Sequence, residues 1–122
     1  MAQMHLQVGT TQLQSGNYPQ ALSELLTAEK LDEDNPTIQN NLGLAYLLRD
    51  RVDLAEIHIR KSLELKSNYS DARNNLSRVL IERGQYTQAI VEAEKVIEDL
   101  IYPAPEKPLM NKGSAYFKMN QF

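Results

Sequence analysis

Every 34 residues this chain places a small residue in the same local setting, at Gly9, Gly43 and Ser77. Ala21, Ala55 and Ala89 recur at the same interval. So do Gly16, Asp50 and Gly84, each followed two positions later by Tyr18, Val52 or Tyr86. Three coincident series fix the period, and a period of roughly 20 to 50 residues implies stacked supersecondary units rather than one irregular core. Within a unit the apolar spacing is helical: Ile38, Leu42, Ala45 and Tyr46 share one face, and Ala55, Ile59 and Leu63 recur every fourth residue after the turn. Each unit therefore reads as helix, turn, helix. Asn35-Pro36 opens the second unit with a capping side chain and a proline at the first helical position, where the missing N–H costs nothing. The small residues let two helices approach closely, so the alanine series should pack on the Gly9, Gly43 and Ser77 series. The tyrosines read as core packing.

Units fall at 2–35, 36–69 and 70–105. The period then slips: Ser77 to Gly113 is 36 residues, so two extra positions enter along Ile101-Tyr102-Pro103-Ala104-Pro105-Glu106-Lys107-Pro108. Three prolines there forbid a continuous helix and predict a fixed elbow. A further first helix follows over 106–122, carrying Asn111, Gly113, Ala115 and Tyr116, and makes half a unit. Its Phe117, Met119 and Phe122 have no second helix to bury against. Two readings stay open: a terminal cap whose Lys112, Lys118 and Gln121 face water, or a fragment edge that pairs with a second copy as a homodimer.

A 34-residue helix-turn-helix with these features resembles the tetratricopeptide repeat. Leu42-Gly43-Leu44-Ala45-Tyr46 and Gly84-Gln85-Tyr86-Thr87-Gln88-Ala89-Ile90 carry the motif almost residue for residue. The resemblance implies an all-α fold, a right-handed superhelix or α-solenoid of three repeats and a C-terminal half-repeat. Asp50 and Val52 depart from the motif's Gly and aromatic, and Glu33 and Ser67 stand where a Pro usually ends a unit.

Composition excludes several classes of function. With 122 residues, 13 Lys+Arg against 16 Asp+Glu and no cysteine, the chain offers no disulfide framework, thiolate nucleophile or cysteine metal site. Its mildly acidic balance argues against nucleic acid as the main partner. Apolar runs are far shorter than the ~20 residues of a membrane span. The two histidines, His5 and His58, lie in different units without a partner motif, and no phosphate-binding loop, nucleophile elbow or metal-ligand spacing appears. The reading is non-enzymatic, without cofactor or metal. Formal charge by unit is -4, +1, -2 and +2, and acidic runs such as Glu29 to Asp34 or Glu92 to Asp99 read as solvated faces.

What remains is the outer side of the first helices, which lines the concave groove in a stack of such repeats. Two residues before each small residue stands Gln7, Asn41, Asn75 or Asn111, and four residues after it stands Leu13, Leu47, Ile81 or Phe117. Carboxamides along a groove hydrogen-bond to the backbone of an extended ligand, and apolar neighbours add desolvated contact. In the second unit the groove face also holds Asn40, Leu44 and Leu48, and Arg78 joins it in the third. The alternative is local: the amides bond to neighbouring helices and the leucines only pack. The repeat family's clamp for chaperone C-terminal carboxylates uses Lys, Asn and Arg where this chain has Leu6, Thr10, Asp71 and Asn75, so its cations are missing.

The elbow carries a second resemblance. Leu100-Ile101-Tyr102-Pro103-Ala104-Pro105-Glu106, leading to Asn111-Lys112-Gly113, is similar to the break in the type IV pilus pilotin family, whose members are tetratricopeptide lipoproteins. This resemblance implies a periplasmic, outer-membrane-attached factor that helps the pilus secretin assemble, with a protein or peptide partner. The family's lipidated cysteine has no counterpart here, so compartment is not readable from these residues themselves. The rival expectation is a bacterial tetratricopeptide adaptor for an unrelated partner.

Overall fold

A computed structural model describes residues 1–121 and, among them, seven helices and no strand. They are α1 (Ala2–Gln14), α2 (Tyr18–Leu31), α3 (Pro36–Leu48), α4 (Val52–Leu65), α5 (Ser70–Glu82), α6 (Tyr86–Ile97) and α7 (Glu106–Met119). The chain divides into two compact units, Met1–Ser67 with α1 to α4 and Asn68–Phe122 with α5 to α7.

In the first unit, α1 packs on α2, α3 on α4, and α2 on α3. Leu6, Leu25, Ile38 and Leu42 build its core, with Tyr18 and Tyr46 packed against it. A fully buried leucine or isoleucine contributes about 1.5 to 3 kcal/mol. Close approach depends on the glycines. A Cβ added at Gly9 would stand 2.9 Å from Leu25 Cγ and 3.4 Å from the Ala21 carbonyl oxygen; one at Gly43 would run into Ile59 and stand 3.1 Å from the Ala55 carbonyl. The α3 start is capped as its sequence implies, with Asn35 Oδ1 accepting from the backbone N–H of Thr37 at 2.9 Å and of Ile38 at 3.2 Å. Across the same pair the buried Ser62 hydroxyl donates to the Pro36 carbonyl at 2.7 Å.

Each helix pair turns by one device. Gly16, Asp50 and Gly84 have φ of 81°, 60° and 75°, the left-handed region. Two hydrogen bonds flank each: Gly16 N–H to Leu13 O and Asn17 N–H to Gln12 O, Asp50 to Leu47 and Arg51 to Tyr46, Gly84 to Ile81 and Gln85 to Leu80. This is the Schellman arrangement, which satisfies the carbonyls left open at a helix end. The shared motif explains why one turn serves three pairs.

In the second unit, α6 packs against both α5 and α7, and α5 against α7. Val79, Leu80, Ala93, Val96 and Ala115 are closed off from solvent. Ser77 takes the glycine's place, and its hydroxyl donates to the Ala89 carbonyl at 2.8 Å. The elbow differs slightly from its expected extent. Residues 98–105 form it, and Pro108 lies inside α7 as its third residue, buried. The first turn of a helix has no acceptors for its N–H groups, so Pro108 breaks nothing there.

Candidate functional site

On the first unit's first helices, Asn41 turns toward a neighbouring helix. Asn41 Nδ2 donates to Thr10 Oγ1 at 3.0 Å, and that hydroxyl donates to Leu6 O at 2.8 Å, so the side chain links α3 to α1. Asn40 is buried, with its Nδ2 3.5 Å from Asn41 Oδ1. Gln7 is exposed, beside exposed Met4 and Val8 that the repeat spacing did not single out. Leu44 and Leu48 are half-buried and pack against the unit's core.

In the second unit, Asn111 Nδ2 donates to both the backbone oxygen and Oδ1 of Asn74, at 3.2 and 3.0 Å, tying α7 to α5. Asn75 is buried and Arg78 half-buried. The apolar row departs from the groove expectation: Leu13, Leu47 and Ile81 retain only 9%, 8% and 6% of their surface, whereas Phe117 retains 65%. For Leu13 the cover is visible within its own unit, because it belongs to the cluster against which Leu44 and Leu48 pack. Ile81 lies in the last turn of α5, a helix against which both α6 and α7 pack. Met119 is also exposed, and Phe122 lies outside the described residues.

The structure adds a ladder that residue identities hide. His5 Nδ1 meets Glu24 Oε2 at 2.6 Å, His58 Nδ1 meets Gln39 Oε1 at 2.7 Å, and Arg73 donates to Glu92 at 2.8 Å. Each pair spans 19 residues and joins a first helix to its own second helix. Both histidines, which the sequence shows without a partner motif, are held in these pairs. Gln39, fully buried, also donates to Glu29 Oε2 and to the Glu33 carbonyl, both at 3.0 Å. With its amide nitrogen so used, its oxygen faces His58 and the imidazole donates. Tyr46 stacks on that ring with centroids 5.4 Å apart. Burial holds the His58 pKa below its ordinary value, opposed by Glu29 and assisted by Lys61. Positions 5, 39 and 73 are equivalent, as are 24, 58 and 92, so the signal was a polar residue repeating at 34-residue intervals whose identity changes.

The elbow is built from the second unit. Ser70 Oγ donates to Asp99 Oδ2 at 2.6 Å, and the Tyr102 N–H donates to the Asp99 carbonyl at 3.2 Å. Burial, then the hydrogen-bonded Asp71 carboxylate, with Glu106 and Asp99 nearby, push the Tyr102 phenol up to about 12. A shallow cleft of about 360 Å³ beside it is lined by Asn68, Ser70, Arg73, Lys95, Glu98, Asp99 and Ile101. Among the described residues no three His, Cys, Asp or Glu side chains gather to hold a metal, and no helix is long and apolar enough to cross a membrane.

The chain matches family models described as TPR repeat over residues 9–48 and as tetratricopeptide repeat over 36–69 and 58–91. It belongs to the tetratricopeptide-repeat family. The turns, the close glycine contacts and the paired helices are this family's all-α solenoid, an architecture that serves as a protein–protein interaction scaffold. The type IV pilus assembly protein PilF of Pseudomonas aeruginosa is 26% identical over 117 residues, 96% of this chain and 46% of PilF. A solved structure of Pseudomonas aeruginosa PilF superposes with a TM-score of 0.88 at 25% identity, covering 98% of this chain and 54% of that one. PilW, described as a widely conserved type IV pilus biogenesis factor, shares the fold at a TM-score of 0.89, 23% identity, and 98% and 55% coverage. The first tetratricopeptide domain of Spaghetti (RPAP3), solved with an HSP90 peptide, does so at 0.86, 17% identity, and 98% and 93% coverage. The chain thus spans about half the length of the pilus proteins it matches.

Proposed function

We propose that this tetratricopeptide chain is a pilotin-like factor that binds a segment of an outer-membrane secretin and promotes its assembly during type IV pilus formation, in the periplasm and attached to the outer membrane. The observation that carries the reading is the similarity to PilF across 96% of this chain. The Tyr102-Pro103 elbow, an insertion that a regular repeat array does not need, adds to it. The chaperone-tail reading has no comparable support: Leu6 is buried, Thr10 is bonded to Leu6, and Asp71 is bonded to Tyr102.

The binding surfaces proposed are the first-helix faces of the two units, each taken by itself: Gln7, Leu44 and Leu48 in the first, and Arg78 and Phe117 in the second. Asn41 and Asn111 act there by holding adjacent first helices in register, leaving ligand contact to exposed neighbours. Non-enzymatic action and pairing of two copies through the half-repeat belong to the same proposal; sedimentation across a concentration series tests the pairing.

Deleting the full-length gene in its host tests the role. Surface pili should be lost and the secretin should migrate as heat-labile monomers, and complementation with Leu44→Glu or Leu48→Glu should restore little of either. Secretin multimers that persist in the deletion strain would refute the pilus role and leave an adaptor for another partner.

A further inference from the structure

Leu100 and Ile101 expose 95% and 89% of their surface, more than any other large apolar side chain among the described residues. They form the tip of the elbow, so they lie on neither the first-helix face nor a helix pair. A repeat stack needs no such residues to close its core, and solvating two adjacent large aliphatic side chains is unfavourable unless something covers them.

The tip is held in place. Its flank is fixed by the Ser70 to Asp99 bond, by the Ile101 N–H donating to Asp99 Oδ1 at 3.3 Å, and by the Tyr102 hydroxyl on Asp71. Pro103 and Pro105 follow directly. A tip already ordered loses little conformational entropy on binding.

Its surroundings select a partner by charge. Asp71, Asp99 and Glu106 all act on Tyr102, and Glu98 lines the cleft with Ile101. The cations beside them, Arg73 and Lys95, share the one carboxylate of Glu92 at 2.8 and 3.2 Å, and Lys107 follows Glu106, so five carboxylates stand against three cations and the rim stays net acidic. An apolar tip with an acidic rim is repelled by an anionic lipid surface and complements an apolar face bordered by lysine or arginine. We propose that Leu100 and Ile101 are a docking knob for a basic amphipathic helix of a partner protein. This surface is separate from the first-helix face and stands whether or not the pilus role does.

Amide chemical shifts of the whole chain test it, with a synthetic Leu/Lys amphipathic helix as probe. A Leu/Glu helix and phosphatidylglycerol vesicles serve as the competing classes. The Leu/Lys helix should shift residues 98–106, and Leu100→Ser with Ile101→Ser should weaken it about tenfold or more without altering the thermal melt. Glu98→Gln with Glu106→Gln should weaken it severalfold and flatten its salt dependence. No shifts at the elbow, equal affinity in the Ser variant, or tighter binding of the Leu/Glu helix or the vesicles would overturn the proposal.

Discussion

The Ser77 hydroxyl donates to the carbonyl of Ala89 at 2.8 Å, at the place where Gly9 and Gly43 lie bare against the carbonyls of Ala21 and Ala55. One contact is thus made in two ways. Glycine admits the facing helix by having no side chain, and serine admits it by turning its only polar atom into a bond. At Gly113, which begins the same pattern in α7, a Cβ would meet nothing within 4 Å.

Alanine at these positions should therefore have opposite effects. Gly43→Ala forces Ile59 and the Ala55 backbone aside and should cost about 1 to 3 kcal/mol. Gly113→Ala meets open space and should gain about 0.5 to 1 kcal/mol of helix propensity. Denaturant unfolding of the two variants beside the parent compares them directly, and similar losses in both would refute the packing account.

Asp50 is the one non-glycine residue at positive φ among those described, in a turn that Gly16 and Gly84 make without strain. Asp50→Gly should stabilise the chain by up to about 1 kcal/mol, and Gly16→Ala or Gly84→Ala should destabilise it by about as much. Thermal melts check the signs.

Acidification should weaken the first unit through His58. Its folded pKa lies below the ordinary 6.5, so the unfolded chain takes up the proton first. The stability contribution is then complete above about pH 6.5 and is lost as pH falls toward the folded value. His58→Gln, which keeps a donor for Gln39, should flatten this part of the profile. Urea midpoints in mildly acidic buffers measure the difference, and parallel profiles would contradict it.

Tyr102 acts at the other extreme. Its folded pKa is raised to about 12 from 10.0, so its contribution is complete below pH 10 and is lost as pH climbs toward 12. Tyr102→Phe should lose about 0.5 to 1.5 kcal/mol at neutral pH with the hydrogen bond to Asp71, and its alkaline loss should be smaller than the parent's.

Much of this was readable before any coordinates. The helix pairs, the turn at Gly16, the cap at Asn35 and the break near Tyr102 follow from local rules that act over a few residues. The elbow's bounds were less legible, because prolines mark only where a helix cannot run, and Pro108 fits a first turn as well as a loop. The groove was less legible still. Asn41 and Asn111 show the same spacing whether they face a ligand or Thr10 and Asn74, and Leu13, Leu47 and Ile81 look alike whether open or covered. Spacing fixes the face of a helix; it does not say what lies against that face. The ladder from His5 to Glu92 escaped for a different reason, since its members share a position and not a chemistry.

Arrays of repeats commonly lose their helices piecemeal from the ends, because each unit touches only its neighbours. Gln39 works against that in the first unit. One buried amide holds Glu29 on α2, the Glu33 backbone and His58 on α4 together, so α3 cannot lift away without opening all three at once. Backbone amides of α2, α3 and α4 should therefore exchange with solvent deuterium in a single slow phase. In the second unit the work is divided: Arg73 holds Glu92 on α6, and Asn111 holds α7 to Asn74 on α5.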